Sequence, residues 1–466
     1  MNVEAELAQA GKRLLAPGAP ALERMVALEQ AGSARVFAAA RHEIVTEVLS
    51  DEAIFSLGHY DRLLEQILPG TRYLVGENDA SRQVRLRQLR AAQGWLDQRR
   101  AEAGRHPAAT TTAACPAGTH PNMAADFRAW IAAMARDEAD AILNVLEQRA
   151  RTGEAINFVR EYAFLIAWRM ARRIVGVPAP DGVPPLVRLI VAGRNAMRPG
   201  PWLRLKDELG ASVKTLVMLQ PLFGHVFGTI TTSPGWMQWL CRKTAPPALA
   251  AIDAALAMPR TAPADSFLRA LVAVRPQFPG VEDYDLQARS LLFELTGALL
   301  LIVGKSLSEM AAFVTSPEGK ASGIGWDALV MQLADRKTGM GEQDAIVNEV
   351  LRLAGGSRLT RTVRTDGTWR GIDLQAGDRV VVLVAAASRD PAAFVDPERF
   401  APDQARPYIT SGPLQGPHVC YGRGIAWTIM REAIAATAGR IGPVEGARLS
   451  VFAGLPDDLS FAACCR

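Results

Sequence analysis

Little in this 466-residue chain marks it for a specialised class, and each absence removes one. Its five cysteines, at 115, 241, 420, 464 and 465, show no metal-type spacing. Neither a metal cluster nor a disulfide framework is expected, and a reducing compartment is. The net charge is only +4 with dispersed arginines, which argues against nucleic-acid binding. The opening residues, Met1 to Leu7, carry acids and no apolar core of signal length. No later run is expected to reach the ~18 apolar residues of a membrane span, so the reading is a soluble, cytoplasmic protein. Low-complexity linkers, internal repeats and charge blocks are also missing. Although the length could hold two or three domains, residues 1–466 read as one, with His106 to His120 as a loop within it.

What is present gathers around Cys420. The stretch Gly412-Pro-Leu-Gln-Gly-Pro-His-Val-Cys-Tyr-Gly-Arg-Gly-Ile-Ala426 sets a lone cysteine among glycines, and Ile425, Ile429, Ala433 and Ala436 follow at helical spacing. A tight loop feeding a helix is expected. Gly416 and Gly422 would let the backbone take unusual dihedrals and approach a flat ligand, while the helix start offers unpaired N–H groups to the sulfur. Such a thiol tends toward thiolate, a good axial ligand for heme iron. The plain alternative is a buried structural cysteine.

This loop resembles the cysteine-ligand loop of the cytochrome P450 family, usually Phe-x-x-Gly-x-(Arg or His)-x-Cys-x-Gly-x-x-x-Ala. Gly416, His418, Cys420, Gly422 and Ala426 match in register, and Pro413 stands in the Phe place. The resemblance implies a mainly α fold with small β-sheets (α+β), heme b held by Cys420, and oxidoreductase activity.

Other segments extend the likeness. Residues 35–55 read as a strand followed by an amphipathic helix. Asp79 to Arg90 is a basic helical start; by resemblance Arg87 reaches a heme propionate, with Gln83 where the family has His, and the alternative is a solvated arginine face. The pattern from 122 to 178 is helical throughout, stopping at Pro178. Between 183 and 245, Met197, Trp202, Met218, Phe223, Phe227, Trp236 and Trp239 suggest a roof over an apolar ligand, or ordinary core packing. Tyr284 to Val314 is a long helix. Glu349 and Arg352 share a helix face at i, i+3, and with Arg399 they match the family's core-locking Glu-Arg-Arg cluster. Val380-Val-Val-Leu-Val384 reads as a buried strand, and Arg361 falls at a propionate-binding place; with His418 and Arg87 it would hold the cofactor's carboxylates.

The likeness breaks on the long helix. Where most members carry an acidic residue and Thr to deliver protons, Leu300 and Leu301 stand, and neither relays a proton. A shifted register would bring Ser306 or Ser308 there instead. No Asn lies between 284 and 314, and the Arg-Pro of fatty-acid peroxygenases is absent. Gly304-Lys-Ser306 is not a phosphate loop, since Leu299 stands where that motif needs Gly. The expectation is therefore a monooxygenase of apolar small molecules using dioxygen and separate ferredoxin- or flavodoxin-type partners. Peroxide-driven or hydroperoxide-rearranging chemistry is the alternative, and a heme protein that binds a ligand without turnover the lesser one.

Overall fold

The computed structural model describes residues 3–29, 34–102, 125–180, 206–230, 233–356, 358–404, 408–409, 418–452 and 455–464. Among the features expected above, the 106–120 loop, Cys115, Met197, Trp202, Pro413 and Gly416 lie outside them.

The strand-then-helix opening folds as Val36–Ala39 and His42–Ser50. Val36–Ala39 runs parallel to Arg379–Leu383, which pairs antiparallel with Arg358–Val363. Glu23–Arg24 and Phe55–Ser56 complete a five-stranded sheet at its edges. Of the three inner strands, Val36–Ala39 and Arg379–Leu383 are buried along their whole length. That is why Val380 to Leu383 is a continuous apolar run rather than an alternating one. Two two-stranded sheets and one three-stranded sheet are the other β structure among the described residues.

The larger body is helical. The reading of 122–178 as unbroken helix is corrected: Ala125–Ala150 ends in a turn with Gly153 at φ 88°, and Ile156–Asn157 then pairs with Ser460–Ala463 before Phe164–Val175 begins. The pairing joins positions some 300 residues apart, so local periodicity carries no trace of it. Gly176, at φ 90°, stops the second helix as expected.

The central helix runs Tyr284–Gly297, loosens into a π segment at Ala298–Val303, and continues as Gly304–Thr315. A Cβ at Gly297 would come within 2.3 Å of the Phe223 ring, and one at Gly304 within 2.4 Å of the Phe164 ring. Two flanking helices thus press aromatic rings onto the two ends of the π segment. Only glycine leaves room for them. By length and composition this 32-residue helix could cross a membrane, its most apolar 18-residue window having mean hydropathy 1.6, although charged residues interrupt it and no apolar run reaches ~18 residues. In the fold, 61% of its most apolar stretch is buried, because it is the axis on which the other helices pack.

Candidate functional site

Cys420 lies just before the Arg423–Ala435 helix, whose cap is Gly422. The Gly422 and Arg423 backbone N–H groups both donate toward its sulfur, the arrangement expected of a loop feeding a helix. The thiolate expectation is corrected for the protein alone: burial pushes the thiol up, and the nearby Arg423 cation and the two N–H groups only partly oppose it. A coordinated metal would reverse that balance, because a coordinating thiol deprotonates. The reason given for Gly422 is also corrected. Its φ of −82° is ordinary, yet a Cβ there meets no atom of the described residues within 4 Å, so among these the backbone borders open space rather than a strained turn.

Cys420 keeps accessible surface although burial dominates its titration. Glu294, on the central helix, does the same. Groups this deep that remain accessible line an internal space, and the charge of Glu294 is felt at the sulfur. Ala298 and Ile302 follow Glu294 at successive steps of four, and Ile302 is 49% exposed on a helix otherwise built into the core. The open face of the central helix is therefore 294–298–302. Leu300 and Leu301 are turned away from it, 0% and 3% exposed within the main apolar cluster. The expectation that they sit over the site is corrected: two adjacent leucines on a core helix are drawn to its apolar side. Ser308 is buried with its hydroxyl on the Gly304 carbonyl at 2.7 Å.

Sequence reasoning passed over Glu294 and Thr296. They are the only polar side chains between Ser290 and Lys305, and that isolation was the available signal. Glu294 accepts from the Leu74 and Val75 amides, and burial pushes its carboxyl up to about 7 against the opposing Arg85 and Arg82 charges. The Thr296 hydroxyl donates to the Leu292 carbonyl at 2.7 Å.

A second group gathers beside the cysteine loop. Arg361, 3% exposed on its strand, has one hydrogen bond among the described residues, to the Thr360 carbonyl at 3.2 Å. His418 Nε2 lies 2.5 Å from Glu52 Oε1 but out of line, and neither ring nitrogen has a hydrogen-bond partner among the described residues. Burial, with Arg82 and Arg361 nearby, pushes the imidazole down to about 3. Arg82 is buried, and its Nε donates to the Leu74 carbonyl. Arg82, Arg361 and His418 thus form a buried cationic corner. Arg87 is not part of it. On the Ala80–Glu102 helix the inward stripe is Arg82, Arg85, Leu89, Ala92 and Leu96, whereas Gln83 and Arg87 face solvent. Helical phase decides between arginines two to five residues apart.

Glu349 and Arg352 meet as expected on the Met340–Ala354 helix, both 0% exposed, at 2.8 and 2.9 Å. Arg352 also donates to the Ser388, Pro397 and Arg399 carbonyls, and Glu349 accepts from the Ala401 amide at 3.1 Å. Arg399 joins through its backbone carbonyl, while its side chain is exposed. The Arg352 guanidinium donates to two carboxylate oxygens and three carbonyls, and Arg399 enters the group as one of those acceptors rather than as a second cation.

The sequence pattern of cytochrome P450 matches residues 340–437, the segment holding the Glu349–Arg352 pair, Arg361 and Cys420. Over 97 residues the chain is 37% identical to a 20-oxo-5-O-mycaminosyltylactone 23-monooxygenase of Streptomyces fradiae, covering 20% of this chain and 23% of that one. It is 38% identical over 88 residues to a cytochrome P450 BJ-1 homolog of Sinorhizobium fredii, covering 18% and 22%. The match therefore spans less than a quarter of those relatives. A myxobacterial cytochrome P450 crystallised with myristic acid superposes over 100% of this chain and 98% of its own, with TM-score 0.64 at 16% identity. Residues 340–437 thus carry the cytochrome P450 pattern, and the chain as a whole has the cytochrome P450 fold. At that identity the structural likeness is one of fold, and it extends beyond the matched segment: a mainly helical body with small mixed sheets, as in the cytochromes P450 it superposes on.

The residues fit the family's cofactor. Two imidazole nitrogens without partners, a buried guanidinium with one backbone bond, and open space over Gly422 are what a flat group with two carboxylates would complete.

Proposed function

We propose that this protein is a cytochrome P450-type heme-thiolate oxidoreductase, most simply a monooxygenase of a largely apolar small molecule. The observation that carries the reading is the opposition of Cys420 and the 294–298–302 face of the central helix, with the cationic corner to one side. Cys420 would be the iron ligand, its sulfur held by the Gly422 and Arg423 N–H groups. Arg82, Arg361 and His418 would take the propionates, with Gly416 and Gly422 bordering the ring. When bound, the thiolate-ligated heme supplies oxygen activation and substrate oxidation. The chain's own part is to exclude water and present an apolar face. Phe223 and Phe227 pack beside Tyr73 and Phe293, and Ala298 and Ile302 add no polar atom. A substrate of hydrocarbon character fits those surroundings. Dioxygen as oxidant requires electrons from separate ferredoxin- or flavodoxin-type partners.

A second reading is peroxide-driven oxidation, favoured by one observation: every residue of the π segment Ala298–Val303 is apolar. No side chain there donates a proton, a service typically worth ~10²–10⁴-fold. The test supplies apolar candidates to the holoenzyme with either NAD(P)H and surrogate partners or hydrogen peroxide alone. Coupled turnover with the reductase system supports the first reading, and turnover by peroxide alone the second. Binding without turnover under both regimes would leave a ligand-binding heme protein and contradict the enzyme reading.

A further inference from the structure

The segment 66–79, between the Gly58–Glu65 helix and the Ala80–Glu102 helix, is stapled at three places. Its first part is tied to Glu65, which accepts from the Gly70 amide at 3.3 Å and pairs with Arg72. Its last part is tied to Asp61, which accepts from the Glu77 amide at 2.7 Å. The middle crosses to the central helix. There the Arg72 amide donates to Ser290 Oγ at 3.3 Å, and the Leu74 and Val75 amides converge on Glu294, with 2.5 Å from the Leu74 nitrogen to Oε2. Ser290 and Glu294 are four residues apart and so share one helix face. On the other side, the Tyr73 and Leu74 carbonyls accept from Arg85 and Arg82.

This strap holds Tyr73 in place. The ring lies 5.9 Å from Phe223, 5.8 Å from Phe227 and 6.2 Å from Phe293, measured between centroids, bridging the Lys206–Gly228 helix and the central helix. Its hydroxyl is buried with no hydrogen-bond partner among the described residues. Nothing in the ring's own bonding fixes the strap. The acceptors on the central helix do.

We propose that Glu294 is a positioning residue: with Ser290 it latches the 70–78 strap closed over the apolar side of the site, and ligand access requires the strap to leave it. The inference rests on the heme-thiolate reading only for what lies beneath the strap. Its cause is the acceptor geometry. The Tyr73–Gly76 turn closes on its own Gly76-to-Tyr73 bond, but the amides of its two central residues, Leu74 and Val75, go to one carboxylate, and removal of that carboxylate leaves both donors unpaired.

The test is amide hydrogen exchange on the holoenzyme, followed at residues 72–76 in wild type, Glu294→Gln and Glu294→Leu, with stopped-flow binding of imidazole and 4-phenylimidazole to the ferric protein. The Leu variant is expected to exchange at Leu74 and Val75 at least about tenfold faster, and the Gln variant, which keeps one carbonyl acceptor, at an intermediate rate. Association of 4-phenylimidazole should quicken several-fold, by about the same factor as strap opening, while that of the small imidazole stays unchanged. Unaltered exchange at 74 and 75, with the 423–435 helix still protected, would overturn the latch. Faster exchange with unchanged 4-phenylimidazole association would overturn its gating role. Where Glu294→Leu does not fold, Ser290→Ala must release the Arg72 amide, and failure to do so counts against the proposal. Exchange reads the strap whatever ligates the iron, so loss of the cysteine assignment would leave this result standing and the two failures distinguishable.

Discussion

Two buried charged groups, one on the Met340–Ala354 helix and one beside the cysteine loop, are built on opposite terms. The Glu349–Arg352 pair is closed: every charge meets a partner, and the neighbouring carbonyls of Ser388, Pro397 and Arg399 fill the remaining donors. The corner beside Arg82 is open at its other two members: among the described residues Arg361 has a single backbone bond, and His418 has Glu52 beside it but no hydrogen bond. Burial costs both groups, but only the first recovers that cost inside the protein. A closed charged group is a fastener. An open one is a receptor for an anion that arrives with the ligand.

The comparison breaks most visibly at Arg352. Arg352→Ala should cost roughly 3–5 kcal/mol or abolish soluble expression, since it leaves the Glu349 carboxylate buried and unpaired. Urea unfolding of the variant measures this, and a loss below 1 kcal/mol would show that the pair is not a fastener.

The open corner predicts a pH effect of the next size. His418 titrates near 3 in the fold against 6.5 for the free residue. Above 6.5 it is neutral in both states and contributes nothing. As pH falls from 6.5 toward 3, the unfolded chain takes up a proton that the fold refuses, so stability is lost across that window, by of the order of 3 kcal/mol at its lower end. Denaturation of wild type and His418→Asn at pH 7 and pH 4.5 should show the variant losing less, and bound carboxylates should shrink the wild-type loss. Equal losses in both proteins would remove His418 from the corner.

Arg361→Ala should leave apoprotein stability nearly unchanged while speeding heme transfer to an acceptor protein about tenfold, the worth of one charge-assisted bond. Unfolding, rather than heme loss, would turn Arg361 into a second fastener. The smallest effects belong to the exposed arginines: Arg87→Ala and Arg399→Ala should each stay within about 0.5 kcal/mol of wild type, with heme retention unaltered.

How legible these regions were in the sequence follows from the same contrast. Glu349 and Arg352 could be read because an i, i+3 pair on one helix fixes its own geometry. The Val380–Leu383 strand could be read because a fully buried strand needs an apolar run. Arg87 could not be placed, because a helix with arginines at 82, 85, 87 and 90 offers several phases and tertiary packing chooses one. Leu300 and Leu301 were set over the site by register alone, whereas the π segment and the rings against Gly297 and Gly304 decide which face opens. The contact of Glu294 with Leu74 spans 220 residues, and no local pattern encodes it.

The central claim is that Cys420 supplies the thiolate that faces the open space, and the ferrous–carbon monoxide difference spectrum tests it most directly. The account predicts the red-shifted Soret band of a thiolate-ligated heme in the intact protein and its loss in Cys420→Ser, with the fold retained. A spectrum without that shift in the wild type, or an identical one in the variant, would contradict it.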